Sequence, residues 1–309
     1  MTAFISAYRH LLQSGEFVQR VVEANQHLAI CDVCAWGCPV DRTAGQVGVC
    51  RTGMRARVSS YGAHLGEESP LRGWRGSGTI FFNRCNLRCQ YCQNHAISQT
   101  DSGDELEPEE IAEIMLSLQT AGCHNINFVS PSHVVPQILA AVLIAAQAGL
   151  HIPLVYNTGG YDSRAMLHLL GGVIDIYMPD MKYSEARLAQ HYSKVRNYPQ
   201  INQAAVREMH RQVGDLVVNE QGLAVRGLLI RHLVLPNDLA GTADIVRFLA
   251  EEISNKTYIN LMDQYRPDYN AHQFPELDRR VTREEYIQAV KQAHSVGLNR
   301  LDRSPSHLW

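Results

Sequence analysis

The chain has 309 residues, 45% of them hydrophobic and 19% charged, and a net charge of −3. That length can bury a large core, as one big domain or as a domain plus an extension. The charge leaves no basic footprint for nucleic acid, and no apolar run reaches membrane-spanning length. Eight cysteines in a sequence with no export-signal pattern favour metal ligation over a disulfide framework. The expected compartment is a reducing cytoplasm.

Residues 1–30 read as helical, with apolar pairs at Leu11-Leu12, Phe17-Val18 and Val21-Val22 and a divider at Gly15. They are expected to pack on the main domain. Cys31, Cys34, Cys38 and Cys50 then form C-x2-C-x3-C-x11-C, with Gly37, Gly45, Gly48 and Pro39 supplying turns. Four thiolates in so short a stretch can wrap one zinc ion, closed and structural, or a four-iron cluster. The spacing leaves both open. Trp36 and Val40 are read as shielding. Residues 54–78, rich in glycine and serine, read as a connector that includes His64, given no role, and Glu67-Glu68-Ser69-Pro70.

From residue 79 strands and helices alternate. Strands are predicted at 79–83, 125–130, 153–158, 174–181, 228–235 and 258–265. Helices fill the intervals, from one that starts at Pro108 to one opened by the capping box Thr282-x-x-Glu285. Strands apolar on both faces imply an α/β fold with a parallel sheet covered by helices. Right-handed crossovers would curl that sheet into a partial (β/α)6 barrel. The division is residues 1–78 as a helical and cysteine-rich extension, and 79–309 as the barrel. Ligands of such sheets bind at the carboxyl ends of the strands. The polar motifs lie there: residues 85–92, Ser130-Pro131-Ser132, Asn157-Thr158, Asp180 with Lys182, and Gln264-Tyr265.

The loop after the first of these strands is Cys85-Asn86-Leu87-Arg88-Cys89-Gln90-Tyr91-Cys92. Three thiolates at C-x3-C-x2-C suit an iron–sulfur cluster or zinc. A four-iron cluster normally takes four cysteines, and the next, Cys123, lies a predicted helix away. If Cys123 joins, the site is a closed knuckle. If it stays out, one iron is open to a ligand. With Tyr91 before the last cysteine, the loop resembles the signature of the radical S-adenosylmethionine (SAM) superfamily. In that family the open iron chelates SAM, and the reduced cluster cleaves it to methionine and a 5′-deoxyadenosyl radical. The stretches Val155-Tyr-Asn-Thr-Gly-Gly-Tyr161, Ile174-Asp-Ile-Tyr-Met-Pro-Asp-Met-Lys-Tyr183 and Asn260-Leu-Met-Asp-Gln-Tyr-Arg-Pro267 resemble, more narrowly, the pyruvate formate-lyase activating enzyme-like group. The likeness covers residues 79–300.

The resemblance implies roles residue by residue. Cys85, Cys89 and Cys92 would hold a [4Fe-4S] cluster, and Tyr91 would lie by the adenine. Residues 130–132 stand where the family has Gly-Gly-Glu on the SAM amino group; here Ser130 and Ser132 offer hydroxyls instead. Asn157, Thr158, Met178 and Asp180 stand where the activating enzymes surround a monovalent cation, with asparagine replacing their aspartate. Lys182 would pair with the SAM carboxylate. Arg231 and Gln264 or Tyr265 are further candidates. The implied activity is hydrogen abstraction from a protein, peptide or small-molecule substrate, with flavodoxin or ferredoxin as electron donor. The extra cysteines precede the loop, whereas known activases carry theirs after it, so glycyl-radical activation is only one option. A different class also fits: a non-catalytic zinc or iron–sulfur module that docks a partner.

Overall fold

The computed structural model describes residues 4–302. Gly15, at φ 77°, divides α1 (Tyr8–Ser14) from α2 (Glu16–Gln26), as the sequence pattern predicts. Tyr8 and Phe17 are fully buried. The Tyr8 hydroxyl donates to the carbonyl of Ile152 at 2.9 Å, and the backbone N–H of Ala7 donates to Asp175 at 2.8 Å. These bonds lock the N-terminal helices onto the barrel wall.

The connector reading of residues 54–78 fails. Ala56–His64 forms a nine-residue strand, β1, antiparallel to β2 (Ser77–Phe82), with His64 opposite Ser77 and Val58 opposite Phe82. Only the first half of β1 buries alternate side chains, so its period is too weak to find in sequence. The turn α3 (Ser69–Arg72) joins β1 to β2, and β3 (Asp104–Leu106) pairs with the outer edge of β1.

Beyond β2 the expected alternation holds. The strands β4 (Ile126–Val129), β5 (Leu154–Thr158), β6 (Ile176–Pro179), β8 (Ala224–Leu233) and β9 (Tyr258–Met262) correspond to the other predicted segments. The short β7 (Val217–Val218) pairs antiparallel with β8, and β10 (Arg300–Leu301) extends the parallel edge. The order is β10-β9-β8-β6-β5-β4-β2-β1-β3, and β2, β4, β5, β6, β8 and β9 run parallel. Around them lie α4 (His95–Ser98), α5 (Pro108–Thr120), α6 (Val135–Gln147), α7 (Arg164–Leu170), α8 (Ala186–Ser193), α9 (Tyr198–Val213), α10 (Thr242–Phe248) and α11 (Arg283–Ser295). Glu285 and Thr282 close the capping box at α11. This is the partial (β/α)6 barrel. No helix among the described residues is long and apolar enough to cross a membrane.

Alternation along the strands separates two cores. Phe128, Tyr156 and Tyr177 face outward into the helix layer. Fully burying such a side chain contributes roughly 1.5–3 kcal/mol. The helix α6 is apolar nearly all round because α5 and the sheet cover one side while α1 and α2 cover another. The opposite faces carry Val155, Ile176, Met178 and Leu229, which meet Leu71 of α3 in a separate cluster. The segment between β1 and β2 thus enters the barrel and plugs its lower end.

Candidate active site

The cysteine loop follows β2 directly, so the parallel sheet aims it over the barrel mouth. Its backbone is tied to the end of α8: the N–H of Arg88 donates to Ser193 at 3.0 Å, and that of Gln90 to Tyr192 at 2.7 Å. Asn86 Nδ2 donates to the carbonyl of Tyr161 at 2.7 Å. Cys85, Cys89 and Cys92 are free thiols that line one cavity of about 330 Å³. Each sulfur has a polar neighbour: the Leu87 N–H at 3.4 Å from Cys85, the Ser193 hydroxyl donating at 3.0 Å to Cys89, and the Ser98 hydroxyl at 3.2 Å from Cys92. Burial pushes the Cys85 thiol up to about 12 and the Cys89 thiol up to about 11, the latter against the pull of Lys182. Such thiols ionise readily only against a positive charge, which a bound metal centre supplies. Cys123 is not in this cavity; it lies beside Gly78, near the opposite end of β2. Three thiols in one cavity fit a cluster that keeps one iron free of protein.

Around the same cavity stand Tyr91, Ser130, Asn157, Thr158, Asp180, Lys182, Arg231 and Gln264. Tyr91 is buried, accepts a 2.7 Å hydrogen bond from the Tyr183 hydroxyl, and packs edge-on against Tyr265. Tyr265 itself stays outside the cavity, its hydroxyl donating to the carbonyl of Leu277. Ser130 holds a left-handed backbone at φ 59°, a conformation that glycine takes freely and other residues rarely. Ser130 thus takes a backbone shape suited to glycine, the residue that the resemblance implies there.

Ser132 and Met178 do not line the cavity. The Ser132 hydroxyl lies 2.8 Å from that of Thr158, which donates to Asp162 at 2.8 Å. Tyr156 donates to the other oxygen of Asp162 at 2.9 Å. Burial raises the Asp162 carboxyl, and these hydroxyls act against the rise. The network braces the strand-end loop from behind. Gly160 in that loop, at φ 77°, has no room for a Cβ, which would collide with the Asp180 carbonyl oxygen. Met178 is fully buried in the apolar cluster around Leu71.

Lys182 Nζ lies 2.6 Å from Asp180 Oδ2. Burial works against its charge, but Asp180 and the nearby thiol of Cys89 outweigh that and raise its pKa. Arg231 Nη1 reaches Asn157 Oδ1 at 3.5 Å and lies 4.0 Å from Glu67 Oε2, while its Nε is 3.2 Å from Glu68 Oε1. Glu67 and His64 also line the cavity. The sequence offered one faint sign of these groups: two adjacent carboxylates just before Pro70 in a stretch otherwise rich in glycine and serine.

The N-terminal cysteines gather beside this site. Cys31, Cys34 and Cys50 are buried and Cys38 half-buried. Burial raises the Cys34 thiol, and the other three thiols, felt at close range, raise it further. A Cβ on Gly48 would lie 2.7 Å from Cys38 Sγ, so only glycine fits there. Among the described residues, no three Cys, His, Asp or Glu side chains close to single-ion spacing. Buried Arg42 holds the segment, with hydrogen bonds to Gly53 and, at 2.9 Å, to the carbonyl of His133. Trp36 Nε1 donates to the carbonyl of Asn86 at 2.6 Å, so this segment touches the cysteine loop itself.

The Radical SAM superfamily pattern matches residues 79–219. An uncharacterized protein of Methanocaldococcus jannaschii is 33% identical over 277 residues, which is 87% of this chain and 75% of that one. The FeFe-hydrogenase maturase HydG from Carboxydothermus hydrogenoformans matches in structure with a TM-score of 0.52 and 12% identity, over 74% of this chain and 54% of that one. Streptococcus suis SuiB, solved with S-adenosylmethionine and with precursor peptide SuiA, matches with a TM-score of 0.50 in both cases. Identity is 11% and 10%, over 73% of this chain and 49% and 47% of SuiB. The chain spans about half the length of these solved structures, whose likeness is one of fold. The chain belongs to the radical SAM superfamily. It is an iron–sulfur, SAM-binding enzyme, and the docking-module reading falls away.

Proposed function

We propose that Cys85, Cys89 and Cys92 hold a [4Fe-4S] cluster and that SAM lies between Tyr91, Ser130, Asn157, Thr158, Asp180 and Lys182. The observation that carries this reading is the grouping of three free thiols and these strand-end residues around one cavity that excludes Cys123. When bound, the reduced cluster supplies the electron that splits SAM into methionine and a 5′-deoxyadenosyl radical. The residues of the chain orient and shield. Tyr91, held by the Tyr183 hydroxyl, walls the cavity, and Lys182 presents a fixed charge at the SAM carboxylate. Ser132 and Met178 act from behind, through Thr158 and the lower core. The proposal includes no monovalent cation, because Lys182 stands on Asp180 and Arg231 on Asn157.

The catalytic barrel, expected at residues 79–309, then also takes in β1 and α3, and the segment before them carries a second metal site at Cys31, Cys34, Cys38 and Cys50. The activating enzyme-like group remains the proposed home. A flavodoxin or ferredoxin in the cytoplasm is the proposed donor, and a protein, peptide or small molecule the substrate. Iron, sulfide and zinc per chain test both sites on protein reconstituted without oxygen. About eight irons would mean two clusters; about four with one zinc would mean a structural N-terminal knuckle. A protein that takes up no iron, or makes no 5′-deoxyadenosine from SAM with a chemical reductant, would overturn the reading.

A further inference from the structure

The floor of the cavity is more acidic than its other charges balance. Glu67 and Glu68 sit inside the barrel, 8% and 2% exposed, and share one guanidinium, that of Arg231. Across the cavity Lys182 is already matched by Asp180. With His64 neutral, the groups here are three carboxyls, Glu67, Glu68 and Asp180, against the two cations Arg231 and Lys182; a protonated His64 beside Glu67 evens the count. Asn260 Nδ2 donates to Glu68 Oε1 at 2.9 Å, and His64 Nδ1 lies 3.1 Å from Glu67 Oε1. The second oxygens, Glu67 Oε2 and Glu68 Oε2, are buried and accept no hydrogen bond. Asn127 has neither amide atom paired; it lies two residues before Val129 on the same face of β4, and Val129 lines the cavity. Buried polar groups are nearly always satisfied, so the unsatisfied Glu67 oxygen in the cavity lining, with the Glu68 oxygen behind it, marks a place for a ligand.

We infer that Glu67, backed by Glu68, forms the substrate subsite of this enzyme and binds a cationic nitrogen, an ammonium or guanidinium group on the molecule that yields its hydrogen atom. This rests on the reading of the cavity as the radical site. A substrate held on the floor by its charge would present neighbouring C–H bonds toward the thiol end. An excess buried carboxyl must be balanced by a proton or a cation. Burial, with Glu67 beside it, raises Glu68 above its ordinary range. Burial also acts on Glu67, but His64 and Arg231 outweigh it and hold Glu67 low. A cationic nitrogen placed between the two would balance the excess carboxyl.

The test uses reconstituted enzyme with SAM bound and n-butylammonium as probe, against n-butanol and n-butyrate of similar shape. Saturation-transfer NMR should show n-butylammonium bound at least about tenfold more tightly than either. Glu67→Gln, nearly isosteric, should erase that preference, with SAM affinity measured alongside. Equal binding of the three probes to the unaltered enzyme overturns the inference without any variant. A Glu67→Gln enzyme that keeps the preference overturns it too. So does one that loses SAM affinity, because Glu67 would then serve the ammonium of SAM. Each result leaves the radical reading standing, since that reading is tested by iron uptake and 5′-deoxyadenosine formation in the unaltered enzyme.

Discussion

The mouth and the floor of the barrel use charge differently. At the mouth every charged or reactive group has a counterpart: each thiol has a polar neighbour, and Lys182 stands on Asp180. On the floor two carboxyls compete for Arg231. The mouth is built from residues just beyond the carboxyl ends of parallel strands. The floor is built from the segment between two antiparallel strands, reaching across to β8 and β9. The difference separates two tasks. Groups with full partners hold their places before any ligand arrives, whereas a floor with unsatisfied oxygens awaits one. Substitutions at the two ends should therefore fail in opposite ways.

The largest effect should come at the mouth. Cys89→Ala removes one of three thiols and should drop 5′-deoxyadenosine formation to background, with iron content falling in step. The metal-free variant should unfold within a few degrees of metal-free wild type, because a single buried thiol contributes little to packing. Glu67→Gln should instead lose the discrimination of cations. If Cys89→Ala still cleaves SAM reductively, the assignment of the loop is wrong.

Next comes Arg231→Met. It leaves two buried carboxyls without their guanidinium, and breaking a buried ion pair typically costs about 3–5 kcal/mol. Lys182→Met strips a partner from Asp180, whose side chain is 21% exposed and can be reached by water. Its cost should be smaller, about 1–2 kcal/mol. Urea unfolding of the two variants compares floor and mouth directly. Equal costs would mean that the floor is wetter than the burial of Glu67 and Glu68 implies.

Ser193→Ala probes the mouth more gently. The Ser193 hydroxyl donates to Cys89 Sγ, and a hydrogen bond to a cluster ligand favours the reduced, more negative state. Its loss, at about 0.5–1.5 kcal/mol, should lower the midpoint potential by tens of millivolts in an EPR-monitored titration. An unchanged potential would mean that Ser193 turns away once the cluster is in place.

The same contrast explains what could be read from the sequence. Six strands, their helices and the strand-end motifs were legible because periodicity and motif spacing are local, and a parallel sheet converts spacing along the chain into position around the mouth. Ser132 and Met178 lie outside the cavity lining, since a motif names a residue without saying which face of the strand end it takes. The floor was illegible for a stronger reason. Glu67, Arg231 and Asn260 are far apart in the chain, and β1 alternates over only half its length, so residues 54–78 looked like a connector. Only the fold shows that Leu71 plugs the barrel and that Glu67 before it faces the cavity.

The smallest effect is a pH dependence at the rim of the floor. The hydrogen bond to Glu67 raises the pKa of His64 above its ordinary 6.5, and partial burial acts against this. A group whose folded pKa is raised contributes its full stabilisation below the unfolded value and loses it as pH climbs through the folded one. Glu67, held below its ordinary 4.5, works the other way and loses its contribution as pH falls through its folded value. The pair should therefore stabilise most between the two, in mildly acidic solution. The His64 side chain is 46% exposed, so solvent screening limits the effect to a few tenths of a kcal/mol. The difference in unfolding free energy between wild type and His64→Asn should shrink as pH rises from about 5.5 to about 8.5. A difference that stays flat across that range would mean that His64 does not hold Glu67 in solution. The oxygen of Glu67 that faces it would then join the unsatisfied set, leaving the floor with still more affinity for a cation.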